Sequence, residues 1–230
     1  MNQQVIEALR RSRYRILEGD DELEELYRLR YKCYLDEKAI VSNETGSMVD
    51  AFDGTVNCIN VAVDMDGRMM AAVRLHLITP LTPVGPTLSV FPELQDLLCQ
   101  GQVLLDPTRF VVDPANRQQR VPLHFLALRI PVLAALHYQV DTVLAPVRTE
   151  HAAFYIRYLG HRLLYGPRPY LGLTKPLQLM TTNVVEQREA ILRRTPALGP
   201  IPNLPQADIP FPSLEDLRED GTAVGSSDAA

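Results

Sequence analysis

Hydrophobic and polar positions alternate strictly in some parts of the chain and recur at helical spacing in others, which predicts a mixed α/β fold. Residues 58–65 and 69–78 are predicted strands, and the Asp-Gly dipeptide between them is typical of a tight β-hairpin turn. In the second strand, MMAAVRLHLI, the alternation puts Arg74 and His76 on one face and the larger aliphatic residues on the other.

Spacings of three and four between apolar positions predict helices around these strands. One helix is expected to begin where Asp20 or Asp21 caps it and to end near Lys38. A second, over 121–138, is apolar nearly all round, which predicts a buried helix, and Pro131 is expected to kink or interrupt it. The other predicted elements are a short helix over 1–13, a strand over 14–17, a short helix over 91–98, a strand over 141–146, a helix over 149–159, one or two strands within 161–173 and a last helix over 183–194.

The length and the distribution of prolines predict one folded domain followed by a tail. Of the 230 residues, 1–195 are enough for a single domain with a substantial core. From Pro196 onward prolines are frequent and large apolar residues are few, so we expect residues 196–230 to be disordered.

The most informative stretch is 104–114, LLDPTRFVVDP, an apolar strand interrupted by a charged pair. Pro107 cannot donate a ladder hydrogen bond, so we predict a bulged strand there, whose freed N–H groups can hold a ligand's carbonyl oxygen. Asp106 and Arg109 form either an exposed ion pair, which is common and energetically minor, or part of a functional site.

The polar segment 41–56 lies between the first long helix and the first long strand and carries Asp50 and Asp53. We expect a mobile loop, and loops of this length often act as lids.

The net charge of −5 conceals an asymmetry, because eight arginines between Arg109 and Arg168 face only three acidic residues. A basic half on an acidic protein favours an anionic partner on one face, although any one of these arginines could simply be solvated. The partner could be a phosphate-bearing cofactor, an acidic protein or a nucleic acid. Nucleic acid is disfavoured because the basic residues lack interleaved exposed aromatics.

Other features argue against several classes of protein. The five histidines show no metal-ligand spacing, so no metal site is predicted. The three cysteines form no CxxC pair and the N-terminus does not read as a secretory signal, which predicts free thiols in a reducing compartment. No apolar run reaches membrane-spanning length, and we expect a cytoplasmic protein without stable membrane insertion.

The charged residues of the first half resemble those of the N-acyl amino acid synthases and the N-acyl-homoserine lactone synthases, a branch of the GNAT acyltransferases. Those enzymes carry Arg-x3-aromatic on an early helix, Asp-x2-Asp in the next loop, an arginine on a hairpin and Glu-x2-Arg-Phe on the fourth strand. The resemblance covers about residues 20–165. It implies a GNAT-like α/β (α+β) fold, with a central mixed, mostly antiparallel sheet flanked by helices. The matching pieces are Arg30-x3-Tyr34, Asp50-x2-Asp53, Arg74 and Asp106-x2-Arg109-Phe110.

Three departures from the family pattern bear on the substrates. The strand motif has Asp106 instead of glutamate, the chain has no tryptophan, and RQQRVP replaces the usual glycine-containing pyrophosphate loop. Missing glycines argue against a simple acetyl-CoA cradle and favour acyl carrier protein as the donor, with acyl-CoA as the alternative. Because the lactone synthases that this sequence resembles use a tryptophan that it lacks, we predict an N-acyl amino acid synthase. The alternatives are a lactone synthase that uses S-adenosylmethionine and a degenerate GNAT domain that binds a ligand without turnover.

Acyl transfer from a thioester to an amine needs a deprotonated amine, a stabilised oxyanion and alignment of both substrates. Asp106, directly or through a water, is expected to accept the ammonium proton, and Arg109 to orient Asp106 or to bind a substrate carboxylate. No permanently bound cofactor is implied, because the phosphopantetheine of the carrier or CoA arrives as part of the donor. Residues 121–138 and 141–146 wall an acyl tunnel or are ordinary core. The predicted catalytic residues are Asp106, Arg109 and Phe110; the substrate-binding residues are Arg30, Tyr34, Asp50, Asp53, Arg74 and Arg148; and the residues for the donor are Val111, Val112, Arg117 and Arg120.

Overall fold

The structure is a computed structural model that describes residues 2–116 and 121–219. Within these residues one sheet of seven strands forms the centre of the fold. The strands are β1 (Ser12–Ile16), β2 (Cys58–Met65), β3 (Arg68–Ile78), β4 (Leu104–Val112), β5 (Thr142–Val147), β6 (Arg162–Arg168) and β7 (Leu177–Asn183). Their order across the sheet is β1-β2-β3-β4-β5-β7-β6. Neighbours are antiparallel except for β4 and β5, which run parallel, so the predicted mixed and mostly antiparallel sheet is confirmed.

Helices lie on both faces of this sheet. The helix that starts at Asp20 begins after Gly19 without a side-chain cap, so the predicted aspartate cap is wrong. Asp20 and Asp21 lie in its first turn, where carboxylates interact favourably with the helix dipole.

No helix within the described residues is both long and apolar enough to cross a membrane. The helices are α1 (Asn2–Arg10), α2 (Asp20–Asp36), α3 (Pro86–Val90), α4 (Gln95–Cys99), α5 (Leu123–His137), α6 (Ala152–Leu159), α7 (Val184–Arg194) and α8 (Asp216–Glu219).

The buried helix α5 continues through Pro131 and is not interrupted there. It packs on one face of the sheet with α1, against the odd-numbered residues Val73 and Leu75 of β3. On the opposite face α2 packs against Ala72 of β3. The predicted faces of β3 are therefore correct, and Arg74 and His76, which share the face of Ala72, are fully buried as well.

Strand β7 is the strand that the sequence does not predict. It lies between β5 and β6, and its residues up to Thr182 are buried. The segment LQLMTTN mixes apolar and polar residues. Gln178, Thr181 and Thr182 become buried because the strand has a neighbour on each edge, a tertiary property that local alternation does not reveal.

The segment after Pro196 contradicts the predicted disorder. Leu198, Ala207, Ile209 and Leu217 are buried in the same core as α5. The folded part therefore continues past the predicted boundary at residue 195, whereas the remainder of the predicted tail, 220–230, lies outside the described residues.

A buried arginine holds this segment in place. Arg129 of α5 donates from Nη2 to the carbonyl oxygen of Gly199 at 2.8 Å and from Nη1 to that of Ala207 at 2.9 Å. Tyr138 donates to the carbonyl oxygen of Pro212 at 2.9 Å. Prolines restrict the unfolded chain and so reduce the entropy lost on ordering, which lets a proline-rich segment pack where a core offers apolar contacts and donors.

Strands β4 and β5 separate soon after they begin to pair. Only Leu104 with Thr142 and Leu105 with Val143 are in register. From Asp106 onward the edge of β4 away from β3 has no neighbouring strand among the described residues, so its backbone groups border a cleft. This cleft positions the candidate site.

Candidate active site

The irregular part of β4 lies two residues beyond the predicted position. The pairing with β3 is in register up to Thr108 and is shifted by one residue at Val111. Arg109, between them, has a φ of 52°, the left-handed conformation common at bulges. Pro107 pairs in register opposite Leu75 and is tolerated because β4 has already lost its second neighbour.

Three arginines and two aspartates, which the sequence presents as separate motif pieces, form one charged cluster. Asp50 accepts hydrogen bonds from Nη1 and Nη2 of Arg74 at 2.7 and 3.2 Å and from Nη2 of Arg109 at 2.6 Å. Asp53 accepts from Nη1 of Arg30 at 2.6 Å and lies 3.0 Å from Nη1 of Arg74. The charged cluster therefore consists of Arg30, Asp50, Asp53, Arg74 and Arg109.

Neutral groups add two hydrogen bonds to the charged cluster, while the buried Nε of Arg30 has no partner among the described residues. Arg30 donates from Nη2 to Oδ1 of Asn60 at 2.5 Å, and Arg74 donates from Nε to Oγ1 of Thr108 at 3.1 Å. Both arginines are fully buried, and a buried guanidinium requires such partners because an unpaired charge is costly. Since Asp50 belongs to the segment 41–56, the hydrogen bonds that it accepts from Arg74 and Arg109 fasten this segment to the sheet.

The charges of the cluster keep its carboxylates ionised. Burial works against the charge of Asp50, but hydrogen bonds and charge from Arg74 and Arg109 outweigh it and hold the pKa of Asp50 well below its usual value. Burial likewise opposes the charge of Asp53, whose pKa is lowered by Arg30 and Arg74. Three guanidinium groups thus face two carboxylates, which leaves the charged cluster with an excess of positive charge.

Aromatic residues border the cluster. The guanidinium of Arg109 lies over the ring of Tyr34, 5.6 Å from its centroid. Both residues of the motif Arg30-x3-Tyr34 therefore lie at the site. Nε2 of His76 lies 2.9 Å from the carbonyl oxygen of Phe52. Burial and the charge of Arg74 lower the pKa of His76 to about 4, so this imidazole is neutral at physiological pH and donates to Phe52.

Asp106 is fully buried and hydrogen-bonds outside the charged cluster. Its Oδ2 accepts from the backbone N–H of Thr87 at 3.0 Å and its Oδ1 accepts from Oγ1 of Thr87 at 2.6 Å. Arg109, which was expected to orient Asp106, instead donates to Asp50. Burial raises the pKa of Asp106 to about 6, although the two bonds from Thr87 and the charge of Arg74 oppose this rise.

A large, mainly apolar cavity of about 530 Å³ opens in the cleft between β4 and β5. Its wall includes Tyr34, Thr108 and Arg109 from the neighbourhood of the charged cluster. The helix 121–138 and the strand 141–146, which were expected to wall a tunnel or to be ordinary core, both contribute to the cavity wall. Further lining residues are Phe110, Val111 and Val112 of β4, Leu128, Val132 and Leu136 of α5, Leu144 and Arg148 around β5, Tyr155 of α6, Tyr170, and Ile191 and Leu192 of α7.

Three other arginines of the basic half are paired or buried. Arg148 lines the cavity but pairs with Glu37 at 2.9 Å, Arg129 is buried, and Arg168 pairs with Glu93. The predicted phosphate ligands Arg117 and Arg120 lie outside the described residues. Among the residues that the structure does describe, no three or more potential metal ligands converge.

Sequence reasoning missed four polar residues that complete the site. Asn60 and Thr108 bind the arginines of the cluster, and Thr87 and Tyr170 lie beside Asp106. Asn60 and Thr108 fall within predicted strands, where a polar residue on an otherwise apolar face is a usable signal. Thr87 and Tyr170 lie outside the strands, and nothing local distinguishes them.

Several solved structures with a similar fold are described as acyltransferases or as acyl-homoserine lactone synthases. An acyl-CoA N-acyltransferase from Pseudomonas aeruginosa matches 74% of this chain and 98% of its own, at 19% identity and a TM-score of 0.53. The CoA-dependent acyl-homoserine lactone synthase BjaI, solved with MTA, matches 91% of this chain and 99% of its own, at 17% identity and a TM-score of 0.63. The fold is that of the GNAT-like N-acyltransferases.

The particular family follows from the sequence. The sequence model of the family described as N-acyl amino acid synthase FeeM matches residues 25–183, and the chain belongs to that family. The structure of FeeM, from uncultured soil microbes, matches 80% of this chain and 96% of its own, at 17% identity and a TM-score of 0.63. No curated protein matches the sequence significantly. The protein is thus an enzyme of the N-acyltransferase class.

Proposed function

We propose that this N-acyltransferase moves a fatty acyl group from acyl carrier protein to the amine of an amino acid. The observation that supports this most is that one cavity joins an apolar interior to the positively charged side of the charged cluster. An apolar wall suits an acyl chain, and a surplus guanidinium suits the carboxylate of an amino acid. The relative FeeM is described as an N-acyl amino acid synthase.

The thioester is held at β4. Beyond Leu105 the free edge of this strand offers backbone N–H groups to the cleft, where they can stabilise the oxyanion that forms when the amine attacks the carbonyl carbon. Val111 and Val112 lie on the same wall as Phe110. The C–N bond forms, the C–S bond breaks, and the pantetheine thiol leaves with one proton.

The acceptor lies between the charged cluster and the thioester. Arg109 binds its carboxylate, and the ring of Tyr34 stabilises the guanidinium of Arg109. Asp106 receives the proton that the ammonium group must lose before it can attack. Acyl carrier protein is favoured over CoA because the sequence RQQRVP lacks the glycines of a pyrophosphate loop.

A lactone synthase is the second candidate, since BjaI matches a larger share of this chain than FeeM does. In that case S-adenosylmethionine replaces the amino acid and its amine attacks the same thioester.

The test is a thiol-release assay with long-chain acyl carrier protein and acyl-CoA, each combined with the amino acids and with S-adenosylmethionine, with products identified by mass spectrometry. An N-acyl amino acid formed from the carrier thioester supports the proposal. A lactone favours the second candidate, and faster turnover of acyl-CoA overturns the choice of donor. Donor binding without thiol release in any combination overturns the proposed reaction and favours a binding domain without turnover.

A matched pair of variants tests the role of Asp106. D106N is expected to lower kcat about 100-fold or more while donor binding is retained. D96N, at an exposed aspartate of α4, is the control and should behave like the unaltered enzyme. Equal activity of the two variants would remove Asp106 from the mechanism.

A further inference from the structure

Asp106 is connected to the cavity by a row of two hydroxyl groups. Oγ1 of Thr87 lies 2.6 Å from Oδ1 of Asp106 and 2.9 Å from the hydroxyl oxygen of Tyr170. Among the described residues Tyr170 lines the cavity, whereas neither Thr87 nor Asp106 does. A substrate in the cavity therefore meets Tyr170 first.

From this geometry we infer that Tyr170 and Thr87 carry the ammonium proton from the acceptor amine to Asp106. The inference rests on the proposed function and adds two residues to it. It gives a fully buried aspartate a route to a substrate that it does not touch.

The hydrogen bonds have only one consistent direction when Asp106 is ionised. Both of its oxygens accept from Thr87, one from the backbone N–H and one from the hydroxyl group. The Thr87 hydroxyl proton is then committed to Asp106, so Oγ1 of Thr87 must accept the proton of Tyr170. The oxygen of Tyr170 is left with free lone pairs and can accept a hydrogen bond from an ammonium group in the cavity.

The transfer is balanced. The ammonium group gives one proton to the oxygen of Tyr170, Tyr170 gives its own proton to Oγ1 of Thr87, and Thr87 gives its proton to Oδ1 of Asp106. The products are a neutral amine, two unchanged hydroxyl groups and a neutral carboxylic acid. The pKa of Tyr170 is raised well above its usual value by burial and by the charge of Asp106, so Tyr170 passes a proton on and does not itself remain ionised.

The surroundings of Asp106 suit a proton acceptor. The charged or titratable groups on the elements around it are Arg74 and His76 of β3 and Tyr170, and burial has a larger effect on the Asp106 pKa than the charge of Arg74. Gly85 permits the close approach of α3, because a Cβ there would lie 2.4 Å from Cδ1 of Ile78 and 3.4 Å from Oδ2 of Asp106. A larger residue at position 85 would therefore push Thr87 away from Asp106.

The test uses Y170F and T87V, which each remove one hydroxyl group from the row. T87S keeps the hydroxyl, and Y138F is a matched control because Tyr138 is also buried and donates to Pro212 away from the cavity. We expect Y170F and T87V to lower kcat for an amino acid acceptor about 100-fold, with T87S and Y138F close to the unaltered enzyme. Urea unfolding of each variant verifies that the fold is intact.

Two further readouts separate a proton route from structural damage. An amino acid amide has a less basic amine and needs less help to lose its proton, so the defect of Y170F should shrink to about threefold with this acceptor. With the amino acid itself, the rate of Y170F should keep rising at alkaline pH, where the free amine is already present in solution. An equal loss with both acceptors, an unaltered rate in Y170F, or a loss in T87S as large as in T87V would overturn the inference. Failure of the unaltered enzyme to release thiol would instead overturn the proposed function.

Discussion

Arg74 and Asp50 meet through two hydrogen bonds, at 2.7 and 3.2 Å, and so fasten the segment 41–56 to the middle of the sheet. Arg74 is fully buried, while the Asp50 side chain remains 21% exposed. The buried guanidinium of Arg74 pairs with two carboxylates, those of Asp50 and Asp53, and an unpaired buried charge would be costly. The pair therefore couples the stability of the core to the order of the segment 41–56.

Removal of the charge at Asp50 should destabilise the fold. D50N leaves Arg74 and Arg109 with one carboxylate fewer, and we expect the free energy of unfolding to fall by about 2–4 kcal/mol. Urea unfolding measures the change. E24Q, which disrupts the exposed pair of Glu24 with Arg28, is the control and should change stability by less than about 0.5 kcal/mol. A similar change in the free energy of unfolding for D50N and E24Q would contradict this role of Asp50 in stabilising the buried arginines.

Loss of the Arg109 guanidinium should affect binding of the acceptor more than binding of the donor. R109M is expected to raise KM for an amino acid about tenfold to 100-fold, because a buried charge-assisted hydrogen bond to its carboxylate is lost. With an amino acid methyl ester, which has no carboxylate, the two enzymes should have a similar KM. Steady-state kinetics with both acceptors measures this, and an equal increase for acid and ester would exclude Arg109 as the carboxylate ligand.

A larger cavity should favour longer acyl chains. Leu136 of α5 lines the cavity, so L136A adds room there. Each further methylene of the acyl chain that this space accommodates should contribute about 0.8 kcal/mol to binding. The ratio of kcat/KM for a long to a short acyl donor should rise about fourfold or more per methylene. Leu133 of α5 is buried in the core, and L133A should lower stability and leave the ratio as it is. An unchanged ratio in L136A would place the acyl chain elsewhere.

The buried imidazole of His76 should make the fold sensitive to acid. Its pKa falls from 6.5 to about 4 on folding, so between these values the unfolded chain binds a proton that the folded chain does not. The free energy of unfolding is therefore highest, as far as His76 is concerned, above pH 6.5. It falls as the pH drops, by up to about 3 kcal/mol at pH 4. H76Q should remove this part of the pH dependence in urea titrations at several pH values. H137Q, at an exposed position, serves as the comparison, and identical pH profiles for H76Q and the unaltered protein would refute the assignment.

The segment after α7 should contribute to stability. Leu198 is fully buried against α5, so L198A is expected to cost about 2–5 kcal/mol. L214A, at a half-exposed leucine of the same segment, should cost less than about 0.5 kcal/mol. Thermal or urea unfolding distinguishes them. If L198A proved as stable as L214A, the segment would not be docked in solution.

The order of the chemistry-bearing residues was readable from the sequence. Arg30, Asp50, Asp53, Arg74 and Arg109 were identified by spacing and resemblance, and the structure joins all five. Helix α5 and strands β2 and β3 were also predicted close to their observed bounds, because long apolar runs and a strict alternation are local signals that survive tertiary packing. The irregularity of β4 was also predicted, within two residues, because a proline inside an apolar strand indicates an irregular hydrogen-bond ladder nearby.

Which residues contact each other was decided by the tertiary structure alone. Asp106 and Arg109 are three residues apart, yet the bulge turns Arg109 towards Asp50, while Asp106 accepts from Thr87, whose hydroxyl group in turn hydrogen-bonds to Tyr170. The burial of β7 and of the segment after Pro196 likewise depends on neighbours distant in sequence. The sequence determined which residues were available for chemistry and on which elements they lie. Which of them touch depended on the separation of β4 from β5 and on a single left-handed residue, because contacts between distant segments are set by the packing of whole elements and not by local spacing.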